Sequence, residues 1–493
     1  MSVVAGAVQK TSAIQIRPII SALGLMLCAI AAAMVLPALV DLADGRSDWR
    51  VFLASSVATL FVGGLMVLVA HEDKPTRLGV KEGFLLTTLS WVFVAAFAAI
   101  PFVGLGLTYT DAYFETMSGL TTTGATVISG LDKMSRGILL WRALLNGLGG
   151  LGIVIMAIIM LPFLRVGGMQ LFQTESSDKS EKILPRAYEL GVATALVYTG
   201  LILLASLSFT VLGMSGFDAI CHAMAAIATG GFSTHDSSFG FFQSPSIEWA
   251  GTVFMIAGAL PFVVLIKSVR GEPRSLLRDM QVRGLLSFLA AVTVILALWL
   301  VATRAMPFFD ALRLSAFNVT SIVTTTGFAS TDYAAWGPFA VGLFFLLTFV
   351  GGCSGSTSGG IKIYRLQVAG ILTRSHFLHL ISPNRVITLV YNKRRLPDDV
   401  PFSVIAFLAI YMATVGLFTV VLTAMGLDLV TALSGAATAL GNVGPGLGDT
   451  IGPSGTFAPL PEAAKWVLAF AMMLGRLELF TVLVLLRPEF WRS

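Results

Sequence analysis

Stretches free of any charged side chain run over residues 18–40, 51–70, 83–110, 143–164, 190–217, 284–303 and 400–427. Each is long enough to cross the hydrocarbon layer of a bilayer, which takes about 20 residues as a helix. A chain with this pattern is a polytopic membrane protein. Composition agrees: 56% of the 493 residues are hydrophobic, 12% are charged and the mean hydropathy is +0.85, where a water-soluble domain carries roughly a quarter charged residues. Lys10 and Arg17 precede the first stretch as they would in a secretory signal, but the apolar run continues well past a signal's usual length.

The positive charges give an orientation. The N-terminus, the segments 71–82, 165–186, 267–283 and 362–395, and the C-terminal tail hold 23 of the 32 Lys and Arg residues. The positive-inside rule therefore puts these segments, and both termini, on the cytoplasmic side. The intervening segments carry Asp41, Asp44, Asp48, Asp111, Asp132, Asp218, Asp236, Asp310, Asp332, Asp428 and Asp449 and are expected outside. The net charge of +5 marks orientation, and nothing resembles an aromatic-and-basic surface for nucleic acid. Cys28, Cys221 and Cys353 are scattered in apolar surroundings, which implies neither a disulfide framework nor a metal site. His376 and His379, three apart without a third ligand, read as cytoplasmic surface residues.

After two spans before residue 82 come four hairpins, and repeats of this kind decide a fold. Each reads as a long span, an outward turn, an aspartate, an amphipathic segment, a Gly-containing loop and a second long span. The loops are "TTTGAT" at 121–126, "TGGFS" at 229–233, "TTTGFA" at 324–329 and "GNVGPG" at 441–446, aligned on Gly124, Gly231, Gly327 and Gly444. The expected fold is all-α: two N-terminal transmembrane helices in 1–82, then pore repeats at 83–184, 185–279, 280–399 and 400–493 around a pseudo-fourfold ion pore. Asp111, Asp218, Asp310 and Asp428 are expected to cap the amphipathic half-helices. They stand 13, 13, 17 and 16 positions before their glycines, so the third and fourth half-helices are expected to begin about one turn earlier.

With their N-termini outside, the half-helices aim their negative C-terminal ends at the membrane interior, where four such ends on one axis stabilise a cation. Non-helical backbone at that depth survives only where it is buried in protein or lines water. Loops of Thr and Gly can turn carbonyls inward to replace the water around a dehydrated cation, glycine permitting otherwise strained angles. One such loop would read as an ordinary turn. Four, each after a half-helix, read as a ring.

These motifs, with "GNVGPGLG", "GGCSGSTSGGIK" and "MMLGRLELFTVLVLL" following in order, resemble the TrkH branch of the Trk/Ktr/HKT potassium transporters over essentially the whole chain. The two extra N-terminal spans resemble that branch rather than the shorter Ktr type. The resemblance implies potassium uptake across the bacterial inner membrane. It implies a filter of Thr122, Thr123 and Gly124; Thr229, Gly230 and Gly231; Thr325, Thr326 and Gly327; and Asn442, Val443 and Gly444, with potassium as the ion held. Glycine at all four aligned positions resembles potassium-selective members, whereas sodium-preferring plant relatives carry serine in place of Gly124. Asn442 and Val443 depart from Thr-Thr in a loop where the family itself is asymmetric. The resemblance further implies a homodimer in the lipid bilayer and regulation by a cytosolic nucleotide-binding ring of the TrkA type, with no organic cofactor in this chain.

Residues 351–360 hold five glycines and four Ser or Thr, and each interior Gly costs a helix roughly 1 kcal/mol relative to Ala. The second span of repeat three is therefore expected to break there, and a broken helix in a membrane usually lines a pathway. The family places an intramembrane gate loop here, which assigns Gly351, Gly352, Gly355, Gly359 and Gly360 to the gate; close packing of small residues is the other reading. "GSTSGGIK" lacks a phosphate-loop ending and "GSTSG" lacks the serine of a nucleophile elbow. In "GRLE", Arg476 and Glu478 are two apart and on a helix need separate partners. The family points this arginine into the pore below the filter, with Lys362 near the same path; pairing of Arg476 with a carboxylate between helices is the alternative. No nucleophile, base or metal cluster for an enzyme is apparent. A potassium-conducting pore and a secondary transporter coupled to protons or sodium are the readings that remain.

Overall fold

The computed structural model describes residues 14–71, 79–159 and 183–492, and it is almost wholly helical. Segments 72–78 and 160–182 and the first 13 residues lie outside the described residues. Seven helices are long and apolar enough to cross a membrane: Ile16–Ala43, Trp49–Val69, Val80–Gly104, Arg136–Met156, Tyr188–Val211, Met280–Arg304 and Asp399–Ala424. Each overlaps one of the seven charge-free stretches. The chain is an all-α polytopic membrane protein. Arg142, inside the fourth of these helices, breaks the pattern and is buried against a carboxylate, Glu115, at 2.8 Å.

The first two spans cross at glycines. A Cβ on Gly24 or Gly63 would lie within 2.8 Å of the other residue's carbonyl oxygen, and small residues permit such close approach where lipid removes any hydrophobic drive. Asp41, buried near the C-terminal end of the first span, accepts from the Gly137 N–H at 2.7 Å and from Ser135 Oγ at 3.3 Å. It thereby caps the start of the second span of repeat one and fastens the N-terminal hairpin to the repeats.

The second spans of repeats two, three and four are interrupted. In repeat two, Pro245–Ala259 bends by 104° into Phe262–Val269 at Pro261; in repeat four, Glu462–Arg476 bends by 104° into Phe480–Leu486. In repeat three, Pro338–Leu347 and Ile363–Ile381 are separated by the glycine-rich passage. Arg476 and Glu478 are therefore not on one helix, as the sequence reading had them. The helix ends at Arg476, and Glu478 and Leu479 take positive φ of 56° and 50°, which sets Glu478 against Arg365 at 2.5 Å.

The half-helices are Tyr109–Leu120, Gly216–Ile227, Phe308–Val323 and Leu429–Gly441. Their aspartates correct the expected capping. Thr108 and Ser215 are the caps, accepting from the N–H groups of Asp111 and Asp218 at 3.2 and 3.1 Å while donating their hydroxyls to those carboxylates. This is a capping box with aspartate at the third helical position. Asp310 likewise stands one turn inside, behind Pro307. Asp428 alone of the four is itself a cap, accepting from the Thr431 N–H at 3.0 Å. The uneven spacing follows. Half-helix three does begin a turn early, whereas half-helix four begins 15 residues before its glycine, as one and two do; in four, the aspartate has moved back to the cap.

Candidate functional site

Each half-helix ends in the same conformation. Thr122, Thr229, Thr325 and Asn442 take φ of 51°, 50°, 58° and 53°, and two residues on, Gly124, Gly231, Gly327 and Gly444 take 85°, 72°, 83° and 108°. Between them, the N–H groups of Thr123, Gly230, Thr326 and Val443 donate to the carbonyls of Ser118, Ala225, Ser321 and Thr438 at 2.8–3.0 Å. This Schellman closure satisfies helix-end carbonyls within the helix's own last turn. It holds three threonines in a left-handed conformation that costs a non-glycine residue roughly 1–2 kcal/mol. Asparagine tolerates that region far better than a β-branched residue, which gives Asn442 a backbone reason in the loop that departs from Thr-Thr.

The loops close head to tail. A Cβ on Gly124 would lie 2.6 Å from the Gly230 carbonyl oxygen, and one on Gly444 2.6 Å from that of Thr123; Gly231 and Gly327 approach the carbonyls of Thr326 and Val443 more closely still. Each aligned glycine thus faces the carbonyl just before the glycine of the next loop. The order one, two, three, four and back to one is a ring, and it brings together the residues singled out in the sequence. Among the described residues, none of the carbonyls of Thr122–Gly124, Thr229–Gly231, Thr325–Gly327 and Asn442–Gly444 accepts a hydrogen bond, although all these residues are buried or half-buried. Buried carbonyls without donors are costly. With four half-helix C-termini ending on them, the negative ends of four dipoles add to the demand for positive charge. Chemically, this is a cage of oxygen dipoles suited to a hard cation.

The passage 348–362 lies directly beneath the ring and is buried almost throughout. Its two ends meet through Gly351 N–H to Ile361 O at 2.8 Å and Ile361 N–H to Phe349 O at 3.0 Å. Its hydroxyls reach the ring residues in left-handed conformation. Thr325 Oγ1 lies 3.1 Å from Ser358 Oγ and accepts from the Gly359 N–H at 2.7 Å, and Thr229 Oγ1 donates to Thr357 Oγ1 at 3.2 Å. Gly359 also packs on Asn442. The composition of this segment suggests looseness; the structure holds it by hydrogen bonds to two of the four loops, by packing on Asn442 of the fourth, and by a bond to the broken span of repeat two, Cys353 N–H to Ala259 O at 3.0 Å. Arg476 Nη1 donates to Thr357 O at 2.7 Å, and Lys362 Nζ donates to Ser358 O. Both cations, with Glu478, line a cavity under the loop. Arg476 and Glu478 do have separate partners, a backbone carbonyl and Arg365.

A set of residues that the sequence reading missed lies nine positions before each ring glycine. Glu115 accepts from Thr126 Oγ1 at 2.9 Å and from the Val127 N–H at 2.9 Å. His222 Nε2 lies 2.9 Å from Ser233 Oγ. Asn318 contacts Ser330 through both amide atoms, at 2.9 and 3.3 Å. In the fourth repeat that position is Gly435, and its neighbour Ser434 accepts from the Leu447 N–H at 3.0 Å. Every half-helix therefore pins the strand that leaves its own glycine. Four different residue types do it, so residue identity gave no signal; the shared offset from the glycine was the available one. Among the described residues no three His, Cys, Asp or Glu side chains gather as a metal set.

Comparison with known proteins gives a consistent answer. The TrkH family model, described as cation transport protein, matches residues 49–493. The Trk system potassium uptake protein TrkI of Halomonas elongata is 48% identical over 480 residues, covering 97% of each chain. The Trk system potassium uptake protein TrkH of Escherichia coli K12 is 34% identical over 97% of this chain and 99% of its own. The crystal structure of the potassium transporter TrkH from Vibrio parahaemolyticus is similar with a TM-score of 0.89 at 34% identity, over 97% of this chain and 100% of that one.

Proposed function

This chain belongs to the TrkH family of cation transport proteins, and from that premise we propose that it carries potassium into the cell through the ring of four loops. The family transports ions, so the chain is not an enzyme. The observation that carries the reading is the head-to-tail closure of buried loops whose carbonyls have no donor among the described residues. The potassium uptake named for its relatives in Halomonas and Escherichia supports the choice of ion. In this reading the ion passes Thr122–Gly124, Thr229–Gly231, Thr325–Gly327 and Asn442–Gly444, whose carbonyls replace its water. The loop with Gly351, Gly352, Gly355, Gly359 and Gly360 closes the path below. Lys362 and Arg476 add positive charge there, which raises the energy of an approaching cation. The protein sits in the bacterial inner membrane with both termini cytoplasmic, works as a homodimer, and answers to a nucleotide-binding ring of the TrkA type.

The test is ion flux in proteoliposomes with potassium, sodium and proton gradients imposed independently. A reversal potential that follows potassium alone supports a conducting pore; one that follows protons or sodium as well indicates coupled transport. Gly124→Ser puts a side chain against the Gly230 carbonyl in a conformation that disfavours it, and is expected to weaken the preference for potassium over sodium. An unchanged ratio in the folded variant would take the ion path away from these loops.

A further inference from the structure

We propose that the buried Glu115–Arg142 pair is the positioning element that holds loops one and two at a fixed spacing and so sets ion preference; this rests on the ring being the ion path. Glu115 is fully buried and Arg142 is 1% exposed. Glu115 Oε1 accepts from Arg142 Nε at 2.8 Å, while its Oε2 accepts from the Val127 N–H at 2.9 Å. Both carboxylate oxygens also take the Thr126 hydroxyl, at 2.9 and 3.0 Å. Arg142 then crosses to the neighbouring repeat. Its Nη1 donates to Ser233 O at 2.7 Å, its Nη2 to Thr126 Oγ1 at 3.2 Å, and its guanidinium lies 4.2 Å from the Phe232 ring centroid. Thr126 follows Gly124 by two positions, as Ser233 follows Gly231. One guanidinium therefore fixes the exits of two adjacent loops, at the seam where Gly124 faces the Gly230 carbonyl.

Stability alone does not call for a charged pair here. Taking two ions out of water costs several kcal/mol each, and apolar or neutral replacements are often as stable. Repeat three does the same local job with the neutral Asn318, and repeat four with Ser434. What the pair adds is reach and direction. A planar guanidinium offers donors at fixed angles to partners on both sides, and the carboxylate fixes the guanidinium in turn. The chain of contacts continues into half-helix two, since Ser233 Oγ meets His222 Nε2 and His222 Nδ1 meets Asp218 O at 2.8 Å. A cage that discriminates between ions by its oxygens depends on where those oxygens are held, and this pair holds two of the four loops.

The experiment uses the full-length protein in proteoliposomes, reading the potassium-to-sodium permeability ratio beside the melting temperature in detergent. Glu115→Gln keeps the shape and an acceptor for Val127 but removes the charge partner. Arg142→Lys keeps the charge but loses the fork that spans Thr126 and Ser233. Both are expected to conduct with a several-fold loss of potassium preference. Thr126→Val removes the shared hydroxyl without leaving a charge unpaired and is expected to shift the ratio the same way by less; it decides the matter if the other two do not fold. A brace with a structural role alone would lower melting temperature and total flux and leave the ratio where it was, and that result overturns the proposal. Gly124→Ser in the same assay separates two failures. A shift there but in none of the brace variants leaves the ring and removes the brace; no shift in either removes both.

Discussion

Two buried ion pairs lie on opposite sides of the ring, and they are built differently. In Glu115–Arg142 the guanidinium nitrogens Nε, Nη1 and Nη2 each have an acceptor. In Arg365–Glu478, Nη2 meets the carboxylate at 2.5 Å while among the described residues Nε and Nη1 have no hydrogen-bond partner, and Glu478 is 12% exposed. Among the same residues Arg476 beside it leaves Nε and Nη2 unpartnered. A guanidinium with an acceptor on each of its three nitrogens is held in one orientation; one bound through a single nitrogen has fewer contacts to fix it. The contrast follows the backbone. The Glu115–Arg142 pair joins a half-helix to an unbroken span, whereas the Arg365–Glu478 pair joins two spans at their breaks, Ile363 onward and Arg476–Phe480. The guanidinium at the loop exits has an acceptor on each nitrogen, and among the described residues the two guanidiniums beneath the ring do not.

Removing one carboxylate from each pair is the strongest way to break this comparison. Glu115→Ala leaves a buried arginine without its partner, which costs about 3–5 kcal/mol. Glu478→Ala should cost less, about 1.5–3 kcal/mol, the range for a hydrogen bond to a charged group, because the site is partly exposed and Arg365 keeps its stacking over Phe407 at 3.8 Å. Melting temperatures of the two variants in detergent check the order. Equal losses would mean that the two pairs are equally held.

Arg476→Ala probes the side beneath the ring by function. The variant loses one hydrogen bond, to Thr357 O, worth about 1.5–3 kcal/mol for a charged donor, and removes a positive charge from the cavity under the loop. Repulsion between unit charges about 4 Å apart is roughly 1 kcal/mol in a watered path, equivalent to about fivefold in rate. Potassium flux should rise by about that factor with the potassium-to-sodium ratio unchanged. Lower flux with a large drop in melting temperature would assign Arg476 to structure instead.

The same contrast explains what the sequence made legible. Unbroken spans follow from the cost of charge in lipid, so seven charge-free stretches found seven helices. Of the three breaks, the one at 351–360 was legible from its glycines. The break at Pro261 lies in an apolar run, and the one after Arg476 depends on Glu478 and Leu479 adopting left-handed conformations that nothing in their residue types favours. The ring loops stood out because the backbone demands Gly at one position and tolerates Thr or Asn at another. The pins nine residues upstream did not, because a carboxylate, an imidazole and an amide all satisfy the same strand. Arg142 was hidden for a different reason: it stands just before the charge-free stretch 143–164, and its partner is 27 residues away.

The smallest expected effect concerns a titratable joint on the side of the loop exits. His235, in the segment after loop two, places Nδ1 2.5 Å from Asp132 of repeat one and Nε2 3.5 Å from Asp218 of half-helix two. Its ring stacks on Phe241 at 3.5 Å, and His222 lies across from it at 6.5 Å. Asp236, next in the chain, accepts from the N–H groups of Gly130 and Leu131. Burial alone would lower the imidazole pKa, but the contacts with Asp218 and Asp132 outweigh it and raise the value above 6.5. The hydrogen bond from His235 lowers the Asp132 carboxyl; for Asp218, burial works upward and the contacts from His235, Ser215 and Thr234 outweigh it. A raised imidazole contributes stability that is complete below its unfolded value and is lost as pH rises through its folded value. The two depressed carboxyls contribute above the usual carboxylate range and lose it as pH falls. The joint between repeats one and two is therefore strongest between those limits and weakens as pH climbs past 6.5, by on the order of 1 kcal/mol for a partly exposed cluster. Melting temperature measured from acid to alkaline pH should decline over that window in the unaltered protein and stay flat in His235→Phe, while Glu478→Ala keeps the decline. An equal slope in His235→Phe would remove the imidazole from the joint and leave repeats one and two held there by Asp236 and by the Glu115–Arg142 pair.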